Sequence, residues 1–304
     1  MLFRNLTLFR FAASASPDAD AVEAALARHT LRPLGALELS TQGWVSPFGP
    51  DSEVLVLRQG HQLLLQQGAE DKLLPGSVVQ AELAARLRAY EAEHGRRPGG
   101  KLRRQMREDL VTELLPRAFA RPSRLWLYLD LKRGWLGVDT ASRKAAEAAL
   151  GLLRESLGSF PAVPATADST PRERLTRWLG KGDLPKDFAL GDECELKDPS
   201  DKGGVVRARR QELASKEMHE HLKAGKQVAQ LALVYDGRLG LVLGDDLVLR
   251  KIRYLEVADE TPESGEDARQ ELQARFALSA GETARLLARI EDLFEVKRPA
   301  QNAD

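Results

Sequence analysis

The chain has one cysteine, Cys194, among 304 residues. That excludes an intrachain disulfide, gives no support to a thiolate metal cluster, and fits a reducing compartment. Long apolar runs are missing as well. No stretch approaches the ~20 apolar residues of a membrane helix. The opening MLFRNLTLFRF is broken by Arg4, Asn5 and Arg10, unlike the apolar core of a signal peptide. The expected location is the cytoplasm, with no membrane partner. Net charge is also absent: 45 Lys and Arg balance 45 Asp and Glu. Whole-chain charge therefore gives no reason to expect a polyanion partner.

The usual catalytic signatures are missing too. A phosphate-binding loop needs G-x-x-x-x-G-K-[ST]; Gly180-Lys181-Gly182 and Gly225-Lys226-Gln227 lack the glycine spacing and the hydroxyl. No G-x-S-x-G elbow occurs, and Cys194 lies between Glu193 and Glu195, whose charges disfavour a thiolate. His219 and His221 are two apart, so on a helix they point to different faces and make a poor metal pair. No metal site and no cofactor is expected. One enzyme reading stays open: Asp187, Glu195 and Lys197 form an acid followed by Glu-x-Lys, which in a Mg²⁺-dependent nuclease would hold the ion and activate water. The same residues also suit a charged edge strand.

What is present is segregated charge. Residues 96–107, RRPGGKLRRQMR, carry six basic and no acidic side chains, and 256–268 carry six acidic and no basic ones. A neutral protein divided in this way can still bind nucleic acid locally, because counterion release depends on the charges that touch phosphate. Two further clusters refine this. In LLPRAFARP, 114–122, Phe119 lies two residues from both Arg117 and Arg121, with Arg124 just beyond. The arginines suit phosphates, and an exposed Phe119 would wedge against bases or lock into a second subunit. A helix end broken by Pro116, with Phe119 in a core, fits the same residues. In KGGVVRARRQ, Lys202, Arg207, Arg209 and Arg210 sit close together beside Gln211. On a strand, Arg207 and Arg209 would share one face and Arg210 the other; an edge strand charged against aggregation is the alternative.

A composition of 43% hydrophobic and 30% charged residues is ordinary for a globular protein, with room for two or three compact units. An opening strand at 2–11 leads to a helix that Ser16-Pro17-Asp18 would start. A β-hairpin follows at 53–67, and two helical segments at 77–93 and 101–115 make a projecting helical hairpin. Strands at 124–129 and 134–140 precede a helix from Ser142 to Leu157, and the Pro- and Ala-rich 160–171 reads as a linker. Beyond it come a helix starting at Pro171, strands at 188–196 and 204–209, a helix capped by Ser215, a meander over 226–255, and a last helix at 280–294 opened by the capping box Ser279 to Glu282. The fold class is α+β, with antiparallel sheets and covering helices. The expected regions are 1–75 (α+β), 76–115 (helical hairpin), 116–165 (β-hairpin plus helix) and 166–304 (α+β).

The segments LFRNLTLFR, QGWVSPFG, LLPRAFAR, ASRKAAEAALGLLRESLGSFPAVP, GGVVRARRQEL and HLKAGKQVAQLAL, in that order over nearly the whole chain, resemble the bacterial RdgC family of recombination-associated proteins. The resemblance is weakest over 94–104 and 256–275. It implies a non-enzymatic, nucleoid-associated protein that forms a ring-shaped homodimer around double-stranded DNA and restrains RecA-mediated strand exchange, without strong sequence preference. Single-stranded DNA is left open as a further target. Carried over by motif, Arg117, Phe119, Arg210 and Gln211 would lie at or near the subunit contacts and the DNA channel. The family also shows lysine at the Arg210 position, so the charge is kept while the hydrogen bonding differs. The nuclease and a protein-only dimeric scaffold are the alternatives.

Overall fold

The computed structural model describes residues 2–200, 203–255 and 266–299. In chain order the elements are β1 (Thr7–Arg10), α1 (Ala19–Leu26), β2 (Ser40–Val45), β3 (Val56–Gln59), β4 (Gln62–Lys72), α2 (Gly76–His94), α3 (Gly100–Leu114), β5 (Ala120–Asp130), β6 (Trp135–Val138) and α4 (Arg143–Leu157). They continue as β7 (Val163–Pro164), α5 (Pro171–Lys181), β8 (Phe188–Lys197), β9 (Val205–Arg209), α6 (Lys216–Lys223), β10 (Gln227–Tyr235), β11 (Leu239–Gly244), β12 (Leu249–Tyr254) and α7 (Glu266–Phe294). The fold is α+β with antiparallel sheets, as expected. The chain divides into two compact units: Met1–Arg28, Ser46–Gln66 and Leu125–Asp304 in one, His29–Val45 and Gln67–Arg124 in the other.

In the larger unit, β1 pairs antiparallel with β6 on one side and with β7 on the other, and β5 pairs with β6. A second sheet has the order β12-β11-β10-β8-β9. Leu6 and Leu249 exchange two backbone hydrogen bonds (2.8 and 3.0 Å) that tie the two sheets together. Trp135, Trp178, Phe188, Phe276 and Phe294 form one continuous core with the apolar strand residues. The α4 helix buries Ala146, Ala149, Leu150 and Leu153, spaced as one helical face. Ser142 accepts from Ala145 N at its start, and Gly158 ends it at φ +74°.

Three local expectations are corrected. Asp18, not Ser16, caps α1, accepting from Asp20 N and Ala21 N, while Ser16 Oγ donates to Leu131 O. The 160–171 stretch is not free chain: Ala162 is fully buried, β7 pairs with β1, and Ala165 N donates to Leu8 O at 3.0 Å. Its proline is tolerated because β7 has no further neighbour in the sheet order. The capping box at Ser279 opens nothing, because α7 already runs from Glu266. Phe276 and Ala280 are fully buried there, so tertiary packing carries the helix through the local start signal. Ser279 Oγ accepts from Leu2 N instead, and Glu282 pairs with Arg285 and Arg238.

The smaller unit holds β2, the outer parts of β4 and β5, and the helical hairpin α2–α3. Gly43 lets the 30–31 backbone lie against β2: a Cβ there would come within 2.4 Å of Leu31 N, whose hydrogen bond goes to Trp44 O. The hairpin helices meet through a small core of Val79, Leu83 and Leu110, and Gly95 (φ +68°) ends α2. Little apolar surface is buried here, which matches the charge-rich sequence.

Candidate nucleic-acid interface

The first cluster lies in the smaller unit. A short turn of 3₁₀ helix, Leu115–Arg117, ends α3 and delivers the chain into β5. Leu115 is the buried anchor, and Phe119 directly after the turn is 83% exposed. The core reading of Phe119 is thereby overturned. Arg117, Arg121 and Arg124 are exposed, and none is in an ion pair among the described residues. Arg121 and Arg124 are three apart on a strand and so point to opposite faces; Arg124 folds back to donate to Ser123 O at 2.9 Å. The aromatic has company that the sequence did not announce. Leu73 N donates to Phe119 O, and Lys72 N donates to Leu39 O. Leu37, Leu39 and Leu73 are 60%, 59% and 46% exposed. The backbone links thus bring exposed apolar residues from neighbouring segments close to Phe119, and no sequence signal separates these leucines from core ones.

The second cluster lies in the larger unit, at the edge strand β9. Val206 and Ala208 face inward, and Arg207 and Arg209 share the exposed face, as expected. Arg207 is already engaged: its Nε donates to Glu195 Oε2 at 2.6 Å across the β8–β9 pair. Arg210 corrects the strand reading. It lies beyond β9 with φ +54°, in the left-handed region that non-glycine residues enter uncommonly. The opposite strand face is therefore not what orients it. Gln211 is anchored by its backbone N to Asp192 O. Arg209 and Arg210 are exposed and make no ion pair among the described residues. Lys202 lies outside the described residues.

Arg210 and Gln211 border a groove of about 760 Å³ on the β8–β12 sheet, with Asp192, Glu193, Lys251 and Arg253 also lining it. Lys251 of β12 donates to both Glu193 oxygens (2.6 and 2.7 Å) although two strands separate β12 from β8. Strands lie about 4.8 Å apart, so this contact requires a curled sheet. A register shift opposite Gly240–Val242, with Lys251 at φ +53°, supplies the local bulge that re-aims the side chain. Lys251 and Arg253 belong to this surface only through that curl, so spacing along the chain does not reveal them.

The nuclease candidates are held in ion pairs. Asp187 accepts from Arg289 Nε at 2.7 Å and Nη2 at 3.1 Å, and this pairing keeps its carboxyl below the ordinary range. Burial pushes the Glu195 carboxyl up, but hydrogen bonds from Arg207 and Lys197 outweigh it and hold it below the ordinary value. Among the described residues, no group of three or more His, Cys, Asp or Glu is placed to hold a metal ion. His219 Nδ1 is 2.8 Å from Ser215 O at the start of α6. Cys194 is buried; first burial and then the Glu193 charge push its thiol up to about 11. Iodoacetamide at pH 8 is therefore expected to alkylate the native chain on the order of 100-fold more slowly than the urea-denatured chain. Equal rates, followed by mass spectrometry, would mean that the thiol is accessible.

Fold and site together define an α+β protein that presents an exposed aromatic beside arginines without an ion-pair partner among the described residues, and no helix among those residues is long and apolar enough to cross a membrane. A family model described as "Putative exonuclease, RdgC" matches residues 1–297. Similar proteins include the recombination-associated protein RdgC of Xanthomonas campestris pv. campestris (strain B100), 47% identical over 98% of this chain and 99% of that protein. Those of Xanthomonas axonopodis pv. citri (strain 306) and Stenotrophomonas maltophilia (strain R551-3) are 46% and 44% identical over the same shares. The chain belongs to the RdgC family of recombination-associated proteins.

Proposed function

We propose that this chain is a non-sequence-specific DNA-binding protein of the nucleoid, working as a homodimer that closes into a ring around duplex DNA. In this reading it restrains RecA-mediated exchange by occupying the DNA that a RecA filament would engage. The observation that carries it is the exposure of Phe119 between arginines that have no ion-pair partner among the described residues. Leaving a large aromatic in water gains nothing for the folded monomer, whereas aromatics and arginines dominate interface energetics. Arg117, Arg121, Arg124, Arg209 and Arg210 supply phosphate contacts, with Gln211 as a hydrogen-bonding neighbour; Arg207, tied to Glu195, contributes less. Phe119 with Leu39 and Leu73 forms the contact that opens to load closed circular DNA. A basic lining on a neutral protein gives general affinity without reading base edges.

The word exonuclease in the family description motivates a second reading, with Asp187, Glu195 and Lys197 in the chemistry. We favour action without catalysis, because Asp187 is clamped by Arg289 and Glu195 by Arg207 and Lys197. One experiment separates the readings: the purified chain is titrated onto linear and circular duplexes of unrelated sequence, over a range of salt and with Mg²⁺ present. Sequence-independent binding that weakens steeply with salt and leaves the DNA intact is expected. The Arg209→Gln/Arg210→Gln variant should lower the slope of log K against log salt by about 2, at about 0.9 per phosphate contact. No binding at low salt would overturn the proposal, and shortened DNA would promote the exonuclease.

A further inference from the structure

The helical hairpin carries cations that neither cluster uses. Its two helices border a groove of about 610 Å³, lined at positions 80, 83, 84 and 87 of α2 and 100, 103, 104 and 107 of α3. Both sets follow the i, i+3, i+4, i+7 spacing of one helix face. The groove therefore runs along the seam of the pair for about 10 Å, at 1.5 Å per residue. One side presents the half-buried Ala84 and Leu87 above the buried Leu83, and the other carries Arg103, Arg104 and Arg107, with Gln80 across from them. Among the described residues no carboxylate lines it.

Elsewhere in the hairpin Arg86 pairs with Glu113 at 2.6 Å and Arg97 with Glu91 at 3.2 Å, while Arg88, Arg96 and Lys101, which do not line the groove, form no ion pair among the described residues. Arg103, Arg104 and Arg107 are exposed and form no ion pair among the described residues, although Glu108 follows Arg104 at the helical i+4 position. Like charges at this spacing destabilise a helix. The start of α3 adds to the field, since Gly99 caps it without a side chain and its first turn holds no acid. Three arginines facing an apolar wall suit a chain of phosphates with attached planar or apolar groups. The volume lies within the ~300–1,000 Å³ of small-ligand sites and is too small to seat a double helix.

We propose that this groove binds the phosphodiester backbone of single-stranded nucleic acid, with the arginine row on the phosphates and the half-buried Ala84 and Leu87 against bases or sugars. The inference rests on the reading that the protein acts on DNA, and it adds a site for the strand that is displaced or unpaired. The test compares the full chain with Arg103→Gln/Arg104→Gln/Arg107→Gln and with the triple lysine variant, each checked for unchanged helicity by circular dichroism. Binding to a single-stranded oligonucleotide and to a duplex of equal length is measured over several salt concentrations. The glutamine variant should lose about 2 from the single-strand salt slope, at about 0.7 per contact for three arginines. Its duplex affinity should stay within about twofold, and the lysine variant should keep the slope. An unchanged single-strand slope would overturn the groove assignment alone. Parallel loss on both substrates would move the arginines to the duplex site and overturn it as well. If the unaltered chain binds neither substrate, the functional reading falls and this site falls with it.

Discussion

Phe119→Ser is expected to weaken dimerisation about 30-fold or more and to shorten the lifetime of the protein on circular DNA, while leaving the folded monomer almost untouched. The two effects part because Phe119 is 83% exposed and its backbone carbonyl, which serine keeps, makes the hydrogen bond to Leu73 N. Surface substitutions of this kind stay within about 0.5 kcal/mol. A central interface aromatic, by contrast, costs about 2 kcal/mol or more when truncated, which is the 30-fold factor. Sedimentation equilibrium gives the dimer constant, and competitor challenge on closed circles gives the lifetime. A normal dimer constant with lost DNA retention would place Phe119 against bases. If neither quantity changed, Phe119 would have no part in the mechanism.

The second large effect is on stability, at the buried arginine of β1. Arg10 is fully buried, with its Nη1 donating to Arg133 O at 2.9 Å, its Nη2 at 3.4 Å from Glu291 Oε1, and its guanidinium 4.1 Å over the Trp135 ring. Burial pulls its pKa below the ordinary value and the Glu291 charge opposes this. Glu291→Ala is expected to cost about 3 kcal/mol, because it removes the larger of the two counter-charges, Glu291 and Asp130, that offset a buried cation. Arg10→Met should cost less: it fills the space beside Trp135 with an apolar chain, and Glu291 keeps Arg298. Adding Arg10→Met to Glu291→Ala should recover part of the loss. Urea unfolding at matched m-values gives the ranking. Equal costs for the two single variants would mean that packing and the hydrogen bond to Arg133 O outweigh the charge.

Much of the local architecture could be read from short stretches. The helical hairpin followed from two periodic segments separated by Gly95, Pro98, Gly99 and Gly100, the last of which opens α3, and α4 from Ser142 at one end and Gly158 at the other. The same kind of signal misled at Ser279, where a capping box lies inside α7 because Phe276 draws the preceding turn into the core. It misled again at 160–165, where small and apolar residues become an edge strand against β1. For the candidate site, residue types were legible and their states were not. Arg207 looked as available as Arg209, yet only Arg207 meets Glu195 across the sheet, and Asp187 meets Arg289 from 102 positions away.

The amino-acid order settled where α2, α3 and α4 start and stop, which helix faces are apolar, and where basic and aromatic side chains cluster. Caps, breakers and periodicity act through neighbours a few residues away, so that information is local. Tertiary structure alone decided that Phe119 stands in solvent beside Leu39 and Leu73, that Lys251 reaches Glu193 over a curled sheet, and that Arg103, Arg104 and Arg107 share a groove with α2. Exposure and charge pairing depend on which distant surfaces meet, and long-range packing sets those meetings.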